Sequence, residues 1–375
     1  MALEDGGRVD FTRLRAERRQ RLADAMASAG LDALVLGRSA DVRYAAGARQ
    51  LWRAGTAPFA PMCVVVAATG RVHLLSVWDE GVPPEITREQ LYGLYWDPGN
   101  LMQALAAIPG LPEAALVGTD SLTPLFGQLL PAVVPSAEIV DAGPVVAAAR
   151  SRKTPDEIAC LTVAAALAEA GLAALELALA PGVTERQLVG VYHEAMSRLG
   201  TPAVPSDSVA FATPRRGPVH FLHLATERPV GIGEMVVLSP GALYAGYEAG
   251  LARTRVAGGS APKGAGALAE RAERAIEALV AACRPGSTGA NLRRAWEATG
   301  EPMPPVPLAH GTGIGPEPPV IGWGRGDQAV LDEGNVLTVQ AWVSAEGTGG
   351  HFERDLVLVT ADGPEVLTRG RRTLR

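Results

Sequence analysis

Four of the six histidines stand where they could move protons or hold a ligand. His223 lies in HLATERPVGIG, ten residues before Gly233, with His220 close by; His310 opens HGTGIG; His351 precedes Glu353 in GGHFERDLVLV. An imidazole near its ordinary pKa of about 6.5 takes and returns a proton at neutral pH. His223 therefore fits a general base and acid, with His220 as its rival and a histidine hydrogen-bonded beneath a strand as the plain alternative. A partly buried carboxylate favours a positive partner. Glu353 thus fits a group that holds a cationic part of a substrate or orients His223, or else an ion pair with Arg253 or Arg354. Glu317, between Pro316 and Pro318, faces either a cavity or solvent. His223, His310, His351 and Glu353 together also offer the donor count of a mononuclear metal site. The glycines of HGTGIG are no phosphate cradle, because the strand, lysine and helix context is missing.

These groups need strands to position them, and VVLSPGALYAGYEAGLART, residues 236–254, reads as two short strands broken at Pro240 and Gly241. It holds almost no side chain of catalytic type. Tyr247 and Arg253 are its candidates for substrate contact, and Trp323 and Trp342 either wall a pocket or fill a core. Further out, Leu14, Leu22 and Met26 mark an amphipathic helix that stops at Gly30. Short β-type runs follow at 33–36, 62–67 and 72–77, and the texture to residue 148 is that of an α/β domain. In RSRKTPDEIACL, Thr154, Pro155 and Glu157 spell a capping box. Thr184 and Gln187 spell a second, so domain 149–375 opens with paired helices. GEMVVLS (233–239) and GNVLTVQ (334–340) echo each other, as a duplicated α+β half would.

Length allows two domains with separate cores. A net charge of -6 and a pI near 5.6 give no footprint for nucleic acid. The N-terminus lacks a secretory apolar region, and no apolar run approaches the roughly 18 residues that span a membrane. Three cysteines, widely spaced and odd in number, suit a reduced cytoplasm. The Ala- and Arg-rich composition hints at a GC-rich bacterial genome.

ADVRYAAG (40–47), KTPDEIACL, GVTERQL, HGTGIGPEPPVIG, LDEGNVLTVQ and GGHFERDLVLVTADGPEVLT follow one another in an order that resembles the creatinase, aminopeptidase P and Xaa-Pro dipeptidase family. The resemblance covers nearly the whole chain. It implies a creatinase-type α/β N-terminal domain, 1–148, followed by an α+β pita-bread domain, 149–375, and a homodimer. The family's dinuclear peptidases hold two divalent ions with two aspartates, a histidine and two glutamates, since hard dications want several carboxylate oxygens. Matched through Gly246-Tyr247, the aspartates fall on Ser239 and Gly250; the histidine falls on His310 of AHGTGIG, and the glutamates on Gln340-Ala341 and Glu353. The resemblance thus implies strand geometry kept and metal ligands lost at Ser239, Gly250 and Gln340.

Creatinase itself cleaves a C–N bond without metal, and the resemblance places Glu353 on a substrate-binding glutamate and His223 near the active histidine. Ala252 replaces a second substrate glutamate, which disfavours creatine. The expectation is a metal-independent, cofactor-free enzyme doing acid/base chemistry on a small nitrogen-containing metabolite. C–N hydrolysis comes foremost, with His223, Glu353 and His310 catalytic and Tyr247, Arg253, Glu317 and Trp342 in substrate contact. A lyase or cyclase of specialised metabolism, and a non-catalytic binding module, are the alternatives. Neither nucleic acid nor membrane is an expected partner.

Overall fold

Asp10 starts the first helix: its carboxylate accepts the Arg13 N–H at 2.9 Å, and Leu14, Leu22 and Met26 turn one stripe of α1 (Phe11–Ala29) inward until Gly30 ends it at φ 68°. The computed structural model describes residues 9–48, 62–75, 81–93, 97–120, 123–201, 209–213, 219, 221 and 224–372. Its contacts divide the chain into two units, Asp10–Arg150 and, together with Val9, Ser151–Arg375.

In the first unit follow β1 (Ala33–Leu36), α2 (Ser39–Ala46), β2 (Cys63–Val66), β3 (Arg71–Leu74), α3 (Pro98–Ala106), β4 (Leu116–Thr119), α4 (Pro124–Val133), β5 (Glu138–Asp141) and α5 (Gly143–Ser151). The strands form one sheet in the order β3-β2-β1-β4-β5, parallel where β4 joins β1 and β5. Val35, Val64 and Val117 of the sheet meet Leu105 and Leu130 of the helices in its core. Two titratable groups are buried at its edges. The Asp120 carboxylate accepts the N–H groups of Gly37 and Arg38, each at 2.8 Å. Burial, with Asp41 nearby, pushes it up to about 6. His73 on β3 is buried with neither ring nitrogen hydrogen-bonded among the described residues, and burial, then Arg71, lowers its pKa.

The second unit opens with the capping box read from the sequence: Thr154 and Glu157 exchange hydrogen bonds at the start of α6 (Pro155–Ala178). Thr184 and Gln187 do the same for α7 (Glu185–Arg198). Then come β6 (Ala210–Thr213), β7 (Glu234–Leu238), β8 (Gly241–Tyr244), β9 (Tyr247–Gly250), β10 (Arg253–Ala257), α8 (Ala265–Ala282), α9 (Gly289–Glu297), β11 (Ala309–Gly313), β12 (Gly315–Ile321), β13 (Val336–Ala345), β14 (Gly349–Thr360) and β15 (Gly363–Val366). One sheet runs β10-β7-β6, another β12-β11-β13-β14-β15, and β8 pairs with β9. The two echoed sequences are β7 and β13, the middle strands of the two larger sheets. Reciprocal bonds between Ala252 and Arg354, at 3.1 and 3.2 Å, stitch those sheets together.

Helices cover the outer face of the joined sheets. Leu172, Leu175 and Leu188 of α6 and α7 pack on Val236 and Leu238, while Leu268, Ile276 and Leu279 of α8 pack on Val339, Ala341 and Val357. This is the pita-bread arrangement that the resemblance implies. One expectation needs correction. By length and composition α6 is apolar enough to cross a membrane, against the reading that no run approached that; its buried stripe packs instead into the core of this unit.

Candidate active site

Strand alternation decides what the inner face presents. Residues paired directly across antiparallel strands point the same way, and their neighbours in sequence point the other. Gln340 on β13 pairs with Arg354 on β14, and Arg354 bridges to Ala252. Arg253 pairs with Leu238, and the Leu251 N–H donates to the Pro240 carbonyl at 3.1 Å, so the same register carries Ser239 opposite Ala252. Ser239, Ala252, Arg354 and Gln340 therefore form one row on one face. Trp342 and Phe352, two residues along each strand, extend it, and with Phe211, Val237 and Ala252 they make an apolar cluster. Phe221 closes on it edge-to-face, 4.9 Å from Trp342 and 5.0 Å from Phe352 between ring centroids.

Gly250 joins this row from β9. A side chain there would begin 3.0 Å from a guanidinium nitrogen of Arg354, so the arginine lies over the glycine. The same neighbourhood includes Tyr192, whose phenol donates to the Gly241 carbonyl and is pushed up to about 12 by burial; Arg354 and Glu248 both act on it electrostatically. His310, on β11, pairs with Thr338, two residues before Gln340 and thus on Gln340's face. Its Nδ1 lies 2.9 Å from the Gly311 carbonyl, which can only accept. Nδ1 therefore carries the proton, and Nε2 is the basic nitrogen of the neutral ring.

Glu353 stands on the other face. Its carboxylate is taken by His351 Nε2 at 2.7 Å and by Arg253 at 3.2 Å. Arg253 also binds Asp355 at 2.6 Å and donates to the carbonyls of Ala252, Arg354 and Gly370. Thr368 and Arg372 complete the shell of Asp355, each at 2.7 Å. Burial works against the Asp355 carboxylate's charge, but Arg253 and Arg372 prevail and lower its pKa. Glu353 and Arg253, expected to touch substrate, are thus fully buried parts of one ionic network behind the sheet. A shift of one residue along a strand reverses the side chain, and the position opposite Gln340 belongs to Arg354.

Tyr247 is likewise turned away. It is fully buried and donates its hydroxyl to Glu157 of the α6 capping box at 2.8 Å. Glu317 is buried and paired with Lys153, both packed against Gly313. Trp342 lies on the inner face, whereas Trp323 is half exposed and donates to the Pro304 carbonyl. His223 and His220 lie outside the described residues. Sequence reasoning offers Arg354 only as an ion-pair partner of Glu353 and does not single out Lys153; counting alternate residues outward from the 345–349 turn is the signal that finds Arg354 on the inner face.

The row does not fit the pair of divalent ions that the family's dinuclear peptidases hold. Its members are a hydroxyl at Ser239, an amide at Gln340 and a guanidinium at Arg354, and a fixed cation repels dications that need several carboxylates. Among the described residues no three His, Cys, Asp or Glu side chains come together as a metal site.

The comparisons place this geometry in a family. Residues 159–361, more than half of the chain, match metallopeptidase family M24, and residues 18–152 match the creatinase/prolidase N-terminal domain. An Xaa-Pro dipeptidase of Pyrococcus furiosus is 28% identical over 229 residues, 59% of this chain and 64% of that protein. The match thus spans a little under two thirds of the length of these curated relatives. Agropine synthesis cyclase of Rhizobium rhizogenes is 36% identical over 114 residues, 26% of either chain. In fold, the prolidase of Pyrococcus horikoshii OT3 matches with a TM-score of 0.80 at 22% identity, over 96% of this chain and 100% of that one. Dipeptidase PepE of Mycobacterium ulcerans gives 0.76 at 25% identity over 98% of both. With the creatinase-type domain ahead of a pita-bread domain, the chain belongs to metallopeptidase family M24, the creatinase and aminopeptidase P family.

Proposed function

We propose that this member of the family is an enzyme that works without the metal pair, by acid/base chemistry on a small nitrogen-containing metabolite, with hydrolysis of a C–N bond foremost. The observation that carries the reading is the row Ser239, Arg354 and Gln340, with Gly250 beneath the guanidinium, where the resemblance calls for carboxylates. Three of the relatives named above are a prolidase and two dipeptidases, and hydrolysis needs a base for water and an acid for the leaving nitrogen. His310, its Nδ1 held by Gly311, offers Nε2 for that proton. His223 remains the second candidate.

A cyclase is the second reading, favoured by the relative named agropine synthesis cyclase. It needs the same base, acting on a nucleophile of the substrate itself, and it leaves no solvent oxygen in the product. The reading also includes a reduced cytoplasmic setting, in keeping with Cys63, Cys160 and Cys283, all buried and none in a disulfide, and a homodimer, which sedimentation equilibrium would check.

Elemental mass spectrometry of untagged protein, dialysed after exposure to manganese, iron, cobalt and zinc, should find well under one equivalent of metal. A full equivalent overturns the reading. Turnover of a found substrate should fall by about 10²-fold or more in His310→Ala, and unchanged turnover removes His310 from the chemistry. Product formed in ¹⁸O-water separates hydrolysis, which takes up label, from cyclisation, which does not.

A further inference from the structure

We infer that the ligand of this site carries a carboxylate, held by the Arg354 guanidinium with Gln340 and Ser239 beside it. The inference rests on the metal-free reading above and names the class of molecule the site takes. Three observations lead to it. First, the inner row carries a fixed cation, Arg354, buried to 9% exposure and paired across the strands with Gln340. A guanidinium is planar and presents five N–H donors in a fork that matches a carboxylate edge. Glu248, which acts with Arg354 on Tyr192, is a carboxylate of this chain in the neighbourhood, and five donors serve more than one pair of oxygens. Second, Gly250 supplies no side chain, and that absence is what admits the guanidinium to the row. Third, Ser239 is 1% exposed and its hydroxyl has no hydrogen-bond partner among the described residues. A buried hydroxyl is costly without a partner, and this one lies in the same row as the buried Gln340 amide.

The rest of the row sets the remainder of the ligand. Trp342, Phe352, Phe211 and Phe221 offer ring faces and edges with no charge among them. A flat or apolar portion next to the carboxylate suits that surface, and the low local dielectric strengthens the ionic contact.

Titration calorimetry on the full chain tests this with matched probes that differ only in the charged group: benzoate against benzamide, and hippurate against hippuramide. The carboxylates should bind about tenfold or more tightly than the amides, the size of a lost charged hydrogen bond. Arg354→Gln should erase the difference and Arg354→Lys should keep part of it. Gly250→Asp should also erase it with the arginine in place, because the new carboxylate meets the guanidinium first; this variant decides the question if Arg354→Gln does not fold. Carboxylates that bind no better than amides, a preference that survives Arg354→Gln, or inorganic phosphate competing as well as benzoate would each overturn the assignment. Metal content of the same preparation keeps the two readings apart. Stoichiometric metal sinks the metal-free reading, whereas metal-free protein with no carboxylate preference sinks only this inference.

Discussion

Arg253 holds two buried carboxylates at once, Glu353 at 3.2 Å and Asp355 at 2.6 Å, with Arg372 assisting at the second. A buried charge stripped of its partner is among the most destabilising local changes a protein suffers. Arg253→Met keeps the bulk and removes the charge, so it should cost about 3–5 kcal/mol, read as a lowered urea midpoint. A fall within about 0.5 kcal/mol would show that the network contributes nothing. The same network explains what the sequence left open about the site. Glu353, Arg253 and Tyr247 all have the residue types that bind substrates, yet their partners, His351, Asp355 and Glu157, come from distant parts of the chain or from the hidden face. A sequence motif carries residue type and order; it carries no statement of which face a side chain takes.

The β13–β14 hairpin is the element that fixes those faces. Ala345 pairs with Gly349 across a turn of three residues, with Gly347 at φ 75°, and five pairs outward lie Gln340 and Arg354. A short turn pins register, so the facing of every side chain along the hairpin follows from it. The capping boxes at Thr154 and Thr184, the echoed central strands and the stop at Gly30 were legible because each is a local pattern. The hairpin was legible as strands, but its register needed the turn counted. Gly350 shows how tightly the pleat is packed, for a Cβ there would lie 2.0 Å from the Trp342 ring. Gly350→Ala should therefore push the indole out of the aromatic cluster at a cost of about 1–3 kcal/mol, with a shift in Trp342 fluorescence read against a Trp342→Phe control. An unshifted spectrum and an unchanged melting point would contradict that packing.

At the scale of the whole molecule, acid should act on the two units differently. In Asp10–Arg150, His73 is held below its ordinary pKa and Asp120 is raised to about 6. As pH falls through about 6.5, the unfolded imidazole takes up a proton that folded His73 refuses, and stability drops. As pH falls from about 6 toward the ordinary aspartate value, folded Asp120 takes up a proton that the unfolded chain does not, and stability rises. The two slopes oppose each other. His73→Leu should make this unit gain stability from pH 7 to 5, and Asp120→Asn should make it lose, by up to about 1.4 kcal/mol per pH unit for one proton. Urea midpoints read by pulsed hydrogen exchange in peptides of this unit would show it; equal slopes in both variants would reject the assignment. In Ser151–Arg375, the lowered pKa of Asp355 keeps its contribution intact until pH falls below the ordinary aspartate range, where it is lost as pH approaches the folded value. The arginine over Gly250 has a consequence for engineering too. On the metal-free reading proposed above, a single acid introduced at position 239, 250 or 340 would neutralise Arg354 before it could attract an ion, and removing Arg354 alone supplies no ligand. A metal pair would have to be built into this row by several substitutions made together.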